Sequence, residues 1–193
     1  MPSCSLPVAF RRRCETISTD QRVRLGLQAF DALPAEMLAA RLDAQVVTLS
    51  RFASLGPDQT AHLLASDRWS AAILCRKPLS IVINPNHAPV RRESSLMHEL
   101  SHVLLNHPMV QFDPEAGMPM RRQVHEAEAT FLGGCLQLPR RGLLWALQLG
   151  WPITQIAHHF GASESMVSFR LNVTGALKAI GIGTEDGGIL FPL

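Results

Sequence analysis

Two histidines four residues apart, His98 and His102, constrain this sequence more than any other feature. Side chains at that spacing lie on one face of an α-helix, so both imidazoles can reach one cation. Glu99 then lies about 100° round the helix from His98, beside the cation rather than on it. We predict a helix over residues 90–106 from its apolar stripe, which consists of Leu96, Met97, Leu100, Val103 and Leu104.

This spacing predicts a metal centre. A carboxylate beside a metal ion can take a proton from a metal-bound water. Two imidazoles suit zinc better than magnesium or calcium, although manganese and iron also bind such sites. A catalytic zinc ion normally has a third protein ligand. The next predicted helix, over residues 121–138, offers His125, Glu126 and Glu128, and the two glutamates point to nearly opposite sides, so the residues alone leave the choice open.

Composition excludes several classes of function. The formal net charge of +2 over 193 residues is too small to indicate a nucleic-acid partner. No apolar run is long enough to span a membrane, and residues 1–13 lack the pattern of a secretory signal, so we expect a cytoplasmic protein. The cysteines are scattered and predict neither a disulfide framework nor a zinc knuckle. They are Cys4, Cys14, Cys75 and Cys135.

Helical and strand patterns along the chain predict an α+β fold with a small antiparallel-type sheet. Strands are expected over residues 45–49, 69–75 and 79–83, the last two as a hairpin. Further helices are expected over residues 20–30, 34–43, 58–66, 143–149, 152–160 and 163–173. We divide the chain into a loose lead-in (1–18), a metal-binding domain (19–140) and a helical C-terminal segment (141–193).

The C-terminal segment has the pattern of a helix-turn-helix. Gly161 falls in the turn and Ser163 is placed to cap the second helix. The exposed positions expected on that helix carry one arginine and one glutamate, a poor footprint for phosphates, so we predict packing against the core or a protein partner rather than DNA binding. These positions are Glu164, Ser165, Ser168, Arg170 and Asn172.

Three ordered stretches resemble the ImmA/IrrE-type metallopeptidases: residues 81–91, residues 98–107 and residues 126–139. The resemblance implies that His98 and His102 bind Zn2+, that Glu99 is the general base, and that Glu126 rather than Glu128 is the third ligand. It further implies a cytoplasmic zinc endopeptidase in which Glu99 activates a zinc-bound water for peptide hydrolysis.

The substrate class that the resemblance implies is a specific protein, such as a helix-turn-helix transcriptional repressor. Its cleavage would release genes for a stress response or for mobile-element transfer. A strand within residues 69–83 is expected to hold the substrate in extended form by strand addition. A rival interpretation is a regulatory protein that binds DNA or a partner and has a structural or inactive zinc site, and a third is a hydrolase of small peptides.

The sequence departs from the family pattern at several positions. Ser101 replaces a glycine, Thr130 stands where Asn or Asp is usual and can support a zinc ligand from behind, and Gly133-Gly134 replaces two alanines. The chain has no tyrosine, so another group must stabilise an oxyanion opposite the metal. The candidates for that role are His87, Arg91 and His125.

Overall fold

The fold is α+β, as predicted. The computed structural model describes residues 6–48, 69–108 and 122–180 in full, and it describes only the backbone of residues 112–113, 118–119, 184–185 and 188–189. Helices in the described residues are α1 (Val8–Arg24), α2 (Ala35–Arg41), α3 (Pro89–Leu104), α4 (Gln123–Gln137), α5 (Arg140–Gln148), α6 (Ile153–Phe160), α7 (Glu164–Thr174) and α8 (Ala176–Ala179). Strands there are β1 (Gln45–Val47), β2 (Ala71–Arg76), β3 (Leu79–Ile83), β4 (Phe112–Asp113), β5 (Met118–Pro119), β6 (Thr184–Glu185) and β7 (Gly188–Ile189). The helix predicted over residues 58–66 lies outside the described residues.

The main sheet has three strands in the order β1-β3-β2. The predicted hairpin is present, since β2 and β3 pair antiparallel. The expectation of an antiparallel sheet is wrong for β1, which pairs with β3 in parallel, Val46 opposite Ile81. The reason is that the hairpin reverses the chain before β3, so β3 runs in the direction of β1 and lies between the other two strands. This order leaves β2 at an edge.

The predicted loose lead-in is wrong for residues 8–18, which form the first part of α1. Helix α1 lacks the apolar periodicity of an amphipathic helix because its buried face is partly polar, with Ser18 and Arg22 buried beside Cys14. Ser18 Oγ donates a hydrogen bond to the Cys135 carbonyl oxygen at 2.6 Å, and Arg22 Nη1 donates to Ser18 Oγ at 2.9 Å. The helix then ends at Arg24 rather than continuing to residue 30, because Gly26 adopts a left-handed conformation.

Apolar burial is arranged in two clusters. One joins α1 to α4 and the sheet, and it includes Leu38, Ile81, Leu100 and Leu132. The other joins the end of α4 to α5, α6, α7 and α8. The first cluster holds α3 against α4, which is the contact on which the candidate site depends. The boundary predicted at residues 140–141 stays a prediction.

Gly161 and Ser163 have the local conformations predicted for them, while the helix-turn-helix character of this segment stays a prediction. Gly161 ends α6 in a left-handed conformation, and Ser163 Oγ accepts a hydrogen bond from the Met166 amide at 3.1 Å as the N-cap of α7. Arg170, however, was expected on the exposed face of α7 and is fully buried. Its guanidinium pairs with Glu15 of α1, so the side chain contributes no charge to the surface of α7.

No helix in the described part of the chain has both the length and the hydropathy that a membrane crossing requires.

The three described cysteines are expected to differ sharply in reactivity. Cys14 and Cys135 are buried, whereas Cys75 is exposed. Burial raises the pKa of the Cys14 thiol to about 12, and burial likewise raises the pKa of Cys135 well above its usual value. The thiol of Cys14 therefore stays protonated at pH 8, and a protonated thiol is a poor nucleophile.

We therefore expect a maleimide to label Cys75 rapidly in the native protein, and Cys14 and Cys135 only after denaturant is added. Peptide mass spectrometry after short exposure, with and without denaturant, measures this. Fast labelling of either buried cysteine in the native protein would contradict the packing of α1 on α4.

Candidate metal centre

Helix α3 brings the two predicted imidazole ligands together. His98 Nε2 lies 3.1 Å from His102 Nε2, and the two ring planes cross at 72°. A nitrogen lone pair lies in the plane of its ring. Because the two ring planes cross, both lone pairs can point at the same position, where a metal ion could bind. The predicted pairing of these histidines on one helix face is therefore present.

Helix α4 supplies the carboxylate. Glu126 Oε2 lies 3.3 Å from His98 Nε2, and Glu126 Oε1 lies 3.4 Å from His102 Nε2. Thr130, one helical turn further on, has its hydroxyl oxygen 3.5 Å from His98 Nδ1. The residue that departs from the family pattern thus lies behind the ring of His98, where it can hold that ring in place.

These three side chains fit a metal ion. In a tetrahedral zinc site with Zn–N and Zn–O distances near 2.1 Å, neighbouring donor atoms are about 3.4 Å apart. The two imidazole nitrogens lie 3.1 Å apart, His98 Nε2 lies 3.3 Å from Glu126 Oε2, and His102 Nε2 lies 3.4 Å from Glu126 Oε1. The donor set, two imidazoles and one carboxylate, is also one that zinc and other transition metals accept.

The candidate centre is partly open to solvent. The side chain of His102 is 7% exposed, while those of His98 and Glu126 are 23% and 30% exposed. Glu99 follows His98 on α3 and is buried, with 5% of its surface exposed. A substrate can approach from the side of His98 and Glu126, while Glu99 lies within the protein.

A second group of polar side chains lies directly behind His102. His107 Nδ1 lies 2.9 Å from His102 Nδ1, and His107 Nε2 lies 3.0 Å from Glu128 Oε2. His125 stacks on His107, with ring centroids 4.4 Å apart and an interplanar angle of 16°. Burial lowers the pKa of His107, and the hydrogen bond to Glu128 acts in the opposite direction.

Glu126 contacts the imidazoles of His98 and His102, whereas Glu128 contacts His107, and the assignment of Glu126 as the third ligand stays a prediction. Sequence reasoning gave no role to His107. Asn106 was the available signal, because asparagine tolerates the left-handed conformation that ends many helices and that here turns the chain back to place His107 beside His102.

The candidates for oxyanion stabilisation are spread over three places. Arg91 Nη2 donates a hydrogen bond to Ser70 Oγ at 3.2 Å, next to β2. His87 is buried in the loop before α3. His125 contacts His107 rather than the donor atoms of Glu126 and the two ligand histidines. Its role, like that of the other two, stays a prediction.

One departure from the family pattern has a packing reason. Gly134 of α4 faces α7, where a Cβ atom would lie only 2.9 Å from Arg170 Cδ, so the glycine makes room for the buried arginine. Gly133 faces α3, where a Cβ atom would lie 3.5 Å from Ser101 Oγ, which is an ordinary contact, so packing does not require a glycine there. Ser101 itself is buried and donates to the Met97 carbonyl oxygen at 2.7 Å.

A His-x-x-x-His helix packed on a second helix that carries a glutamate, beside a small sheet, defines a protein of the metallopeptidase-like class. More particularly, the chain belongs to the Peptidase_M78 family, because the family model for the IrrE N-terminal-like domain matches residues 39–172. The family suggested by the sequence is thereby confirmed.

Comparison with solved structures agrees with the fold. A transcriptional regulator from Mycobacterium tuberculosis superimposes with a TM-score of 0.51 and 18% sequence identity. The similarity covers 86% of this chain and 47% of that one, so this chain spans about half the length of the regulator. At this identity the likeness shows the fold alone. None of the curated proteins matches this sequence.

Proposed function

We propose that this protein is a zinc-dependent endopeptidase that cleaves a specific protein, with zinc held by His98, His102 and Glu126. One observation carries the proposal: two imidazole nitrogens of one helix lie 3.1 Å apart, and each lies 3.3 to 3.4 Å from an oxygen of one carboxylate on a second helix, all on side chains that zinc accepts. Membership in the Peptidase_M78 family supports the reaction class.

A zinc ion bound there supplies a Lewis acid that lowers the pKa of a water molecule and polarises a carbonyl. The protein's own part in the reaction falls to Glu99. Its carboxylate takes a proton from the attacking water, whose oxygen adds to the carbonyl carbon of the scissile peptide. Glu99 then gives the proton to the leaving nitrogen as the carbon–nitrogen bond breaks.

Strand β2 is our candidate for holding the substrate. It lies at the edge of the main sheet, packs against α3 and has an irregularity between Ile73 and Cys75. An extended peptide that pairs with this edge gains backbone hydrogen bonds without a demand on its sequence. Selection of one protein among many then needs contacts outside the cleft, and we assign these to the C-terminal helices α5 to α8.

The substrate that we propose is a transcriptional repressor, cleaved in the cytoplasm. The family resemblance in the sequence motivates this choice. A transcriptional regulator is also found among the solved structures of this fold. An unrelated protein or a short peptide as the cleaved substrate would contradict this part of the proposal and leave the metal centre unaffected.

Metal content tests the centre directly. We expect one zinc ion per chain in the wild type after zinc is supplied and excess is removed, and none in His98→Ala or Glu126→Ala, because each change removes one of three protein ligands. Atomic emission on the dialysed proteins measures it, with His158→Ala on the exposed face of α6 as the matched control. Absence of metal from the wild type would overturn the proposal.

A regulatory protein with an inactive metal centre is the second candidate. The chain lacks the tyrosine that could stabilise an oxyanion, which favours this candidate. The burial of Arg170 argues that any such partner is a protein, because it leaves α7 with no arginine on its surface for a phosphate. The Glu99→Gln variant separates the two candidates, since only a peptidase needs that carboxylate.

A further inference from the structure

The end of α3 turns the chain so that His107 comes back onto His102. Asn106 has φ 54°, and the His107 amide donates to the His102 carbonyl oxygen at 3.0 Å, five residues back. This is the Schellman arrangement, in which the second residue past the helix contacts the last turn. Arg76 at the end of β2 donates to the His107 carbonyl oxygen, so the turn is tied to the sheet as well.

The hydrogen bonds that join His102, His107 and Glu128 can all be donated in the same direction, away from the metal centre. If His102 Nε2 keeps its lone pair toward Glu126 and His98, a neutral His102 carries its proton on Nδ1. That proton is donated to His107 Nδ1, 2.9 Å away. His107 then carries its own proton on Nε2 and donates it to Glu128 Oε2, 3.0 Å away. Each nitrogen of the two rings then has a single role, either donor or acceptor.

We infer that His107 and Glu128 are positioning residues for the metal centre, which hold His102 in the tautomer and ring orientation that leave Nε2 free to bind the metal. The inference rests on the proposed metal site. A carboxylate at the far end of a hydrogen-bonded series makes the ligand nitrogen a stronger donor. Thr130 has the matching place behind His98, so each ligand imidazole is supported through its second nitrogen.

His107, Glu128 and His125 are also close enough to form a metal site of their own, with ligand atoms within 4.8 Å of one another. Ring geometry argues against it. An imidazole binds a metal in its ring plane, but the planes of His107 and His125 lie nearly parallel, at 16°, with centroids 4.4 Å apart. Such planes do not meet near the rings, whereas those of His98 and His102 cross at 72°.

The positions of the protons on His102 and His107 also argue against a second metal site. If His102 and His107 both bound metals through Nε2, both neutral rings would carry a proton on Nδ1. The two N–H groups would then face each other across 2.9 Å, with no acceptor between them. His107 therefore cannot bind a second metal while His102 binds the first, unless one of the two rings loses a proton. Support of His102 is therefore the role that the contacts favour for His107.

Zinc titration of the metal-free 193-residue chain, against a competing chelator of known affinity, tests the inference. Glu128→Gln removes the charge at the end of the series, and His107→Phe removes both nitrogens while keeping a ring. We expect zinc affinity to fall about 10-fold in Glu128→Gln and about 10- to 100-fold in His107→Phe. The control is His125→Phe, which keeps the ring stack, removes the two ring nitrogens of His125, and should bind zinc like the wild type.

The metal-free proteins are compared by thermal unfolding in parallel. A positioning role predicts that metal-free Glu128→Gln unfolds near the wild-type temperature and loses affinity for zinc alone. If the zinc affinity of Glu128→Gln and of any folded His107→Phe equals that of the wild type, the inference is overturned and the proposed metal centre stands. Two zinc ions per wild-type chain and one in His125→Phe would also overturn it, in favour of a second metal site. A wild type that binds no zinc overturns the proposed function and this inference with it.

Discussion

Glu99→Gln is expected to lower the rate of peptide hydrolysis by a factor of about 10² to 10⁴, while the protein keeps its metal and its fold. Glutamine has the shape of glutamate, so the packing of this buried side chain on α3 is retained. An amide cannot accept the proton of the attacking water or pass one to the leaving nitrogen. The ligands His98, His102 and Glu126 are unchanged, so the zinc content should equal that of the wild type.

The matched control is Glu93→Gln on the same helix. Glu93 accepts a hydrogen bond from the Ala35 amide, on the side of α2, and burial raises the pKa of its carboxyl group. It has no place in the proposed reaction. We expect this control to cleave at the wild-type rate, so that loss of activity in Glu99→Gln cannot be assigned to the loss of a carboxylate from α3 in general.

Cleavage is measured as new peptide N-termini that appear when the zinc-loaded protein is added to an extract of the source cells. Termini made by the wild type and by Glu93→Gln, and missing with Glu99→Gln, support the peptidase proposal and name the substrate. If Glu99→Gln makes the same termini at the wild-type rate, hydrolysis does not depend on this carboxylate and the proposed mechanism is wrong. A metal-loaded wild type that makes no new termini favours the regulatory candidate.

The sequence predicted the centre of the site because helical spacing is a local property. His98 and His102 need only a helix to meet, and the apolar stripe of α3 predicts that helix. The third ligand needs a second helix in a defined orientation, and no local pattern supplies that orientation. The choice of Glu126 over Glu128 therefore came from the family resemblance, and the contacts between α3 and α4 agree with it.

Residues that act through tertiary contacts were harder to recognise. His107 follows the helix and looks like any polar residue before a proline, and only the left-handed Asn106 brings it onto His102. Helix α1 was missed because Ser18 and Arg22 fill positions that apolar residues would fill in an amphipathic helix. In both cases the deciding partner is distant in sequence or depends on one backbone angle.

Arg170 shows the same limit at the C-terminal segment. The sequence assigned it to the exposed face of α7, where an arginine is usual. Its guanidinium instead reaches across Gly134 to Glu15 and lies over the ring of Phe131, 5.4 Å from the centroid. Only the two glycines in α4 hinted that another element comes close at this point, and a glycine in a helix does not say what approaches it.

Glu15→Gln should therefore be among the most destabilising single changes on α1. Glu15 Oε1 accepts from Arg170 Nη2, and Glu15 Oε2 accepts from the Arg140 amide at 3.1 Å, so one carboxylate joins α1, α5 and α7. Loss of its charge leaves the fully buried Arg170 guanidinium without a counterion. Removing one partner of a buried pair costs about 3 to 5 kcal/mol, and we expect about 2 to 3 kcal/mol because the side chain of Glu15 is 29% exposed.

For a chain of this length, that loss lowers the midpoint of thermal unfolding by about 5 to 10 °C. Thermal unfolding followed by circular dichroism measures it, with Asp20→Asn as the control, because Asp20 lies on the same helix with its side chain exposed. The control should unfold at the wild-type temperature, since an exposed carboxylate contributes little. Equal midpoints for Glu15→Gln and the wild type would mean that the Arg170 charge is stabilised by its carbonyl partner Leu138 rather than by α1.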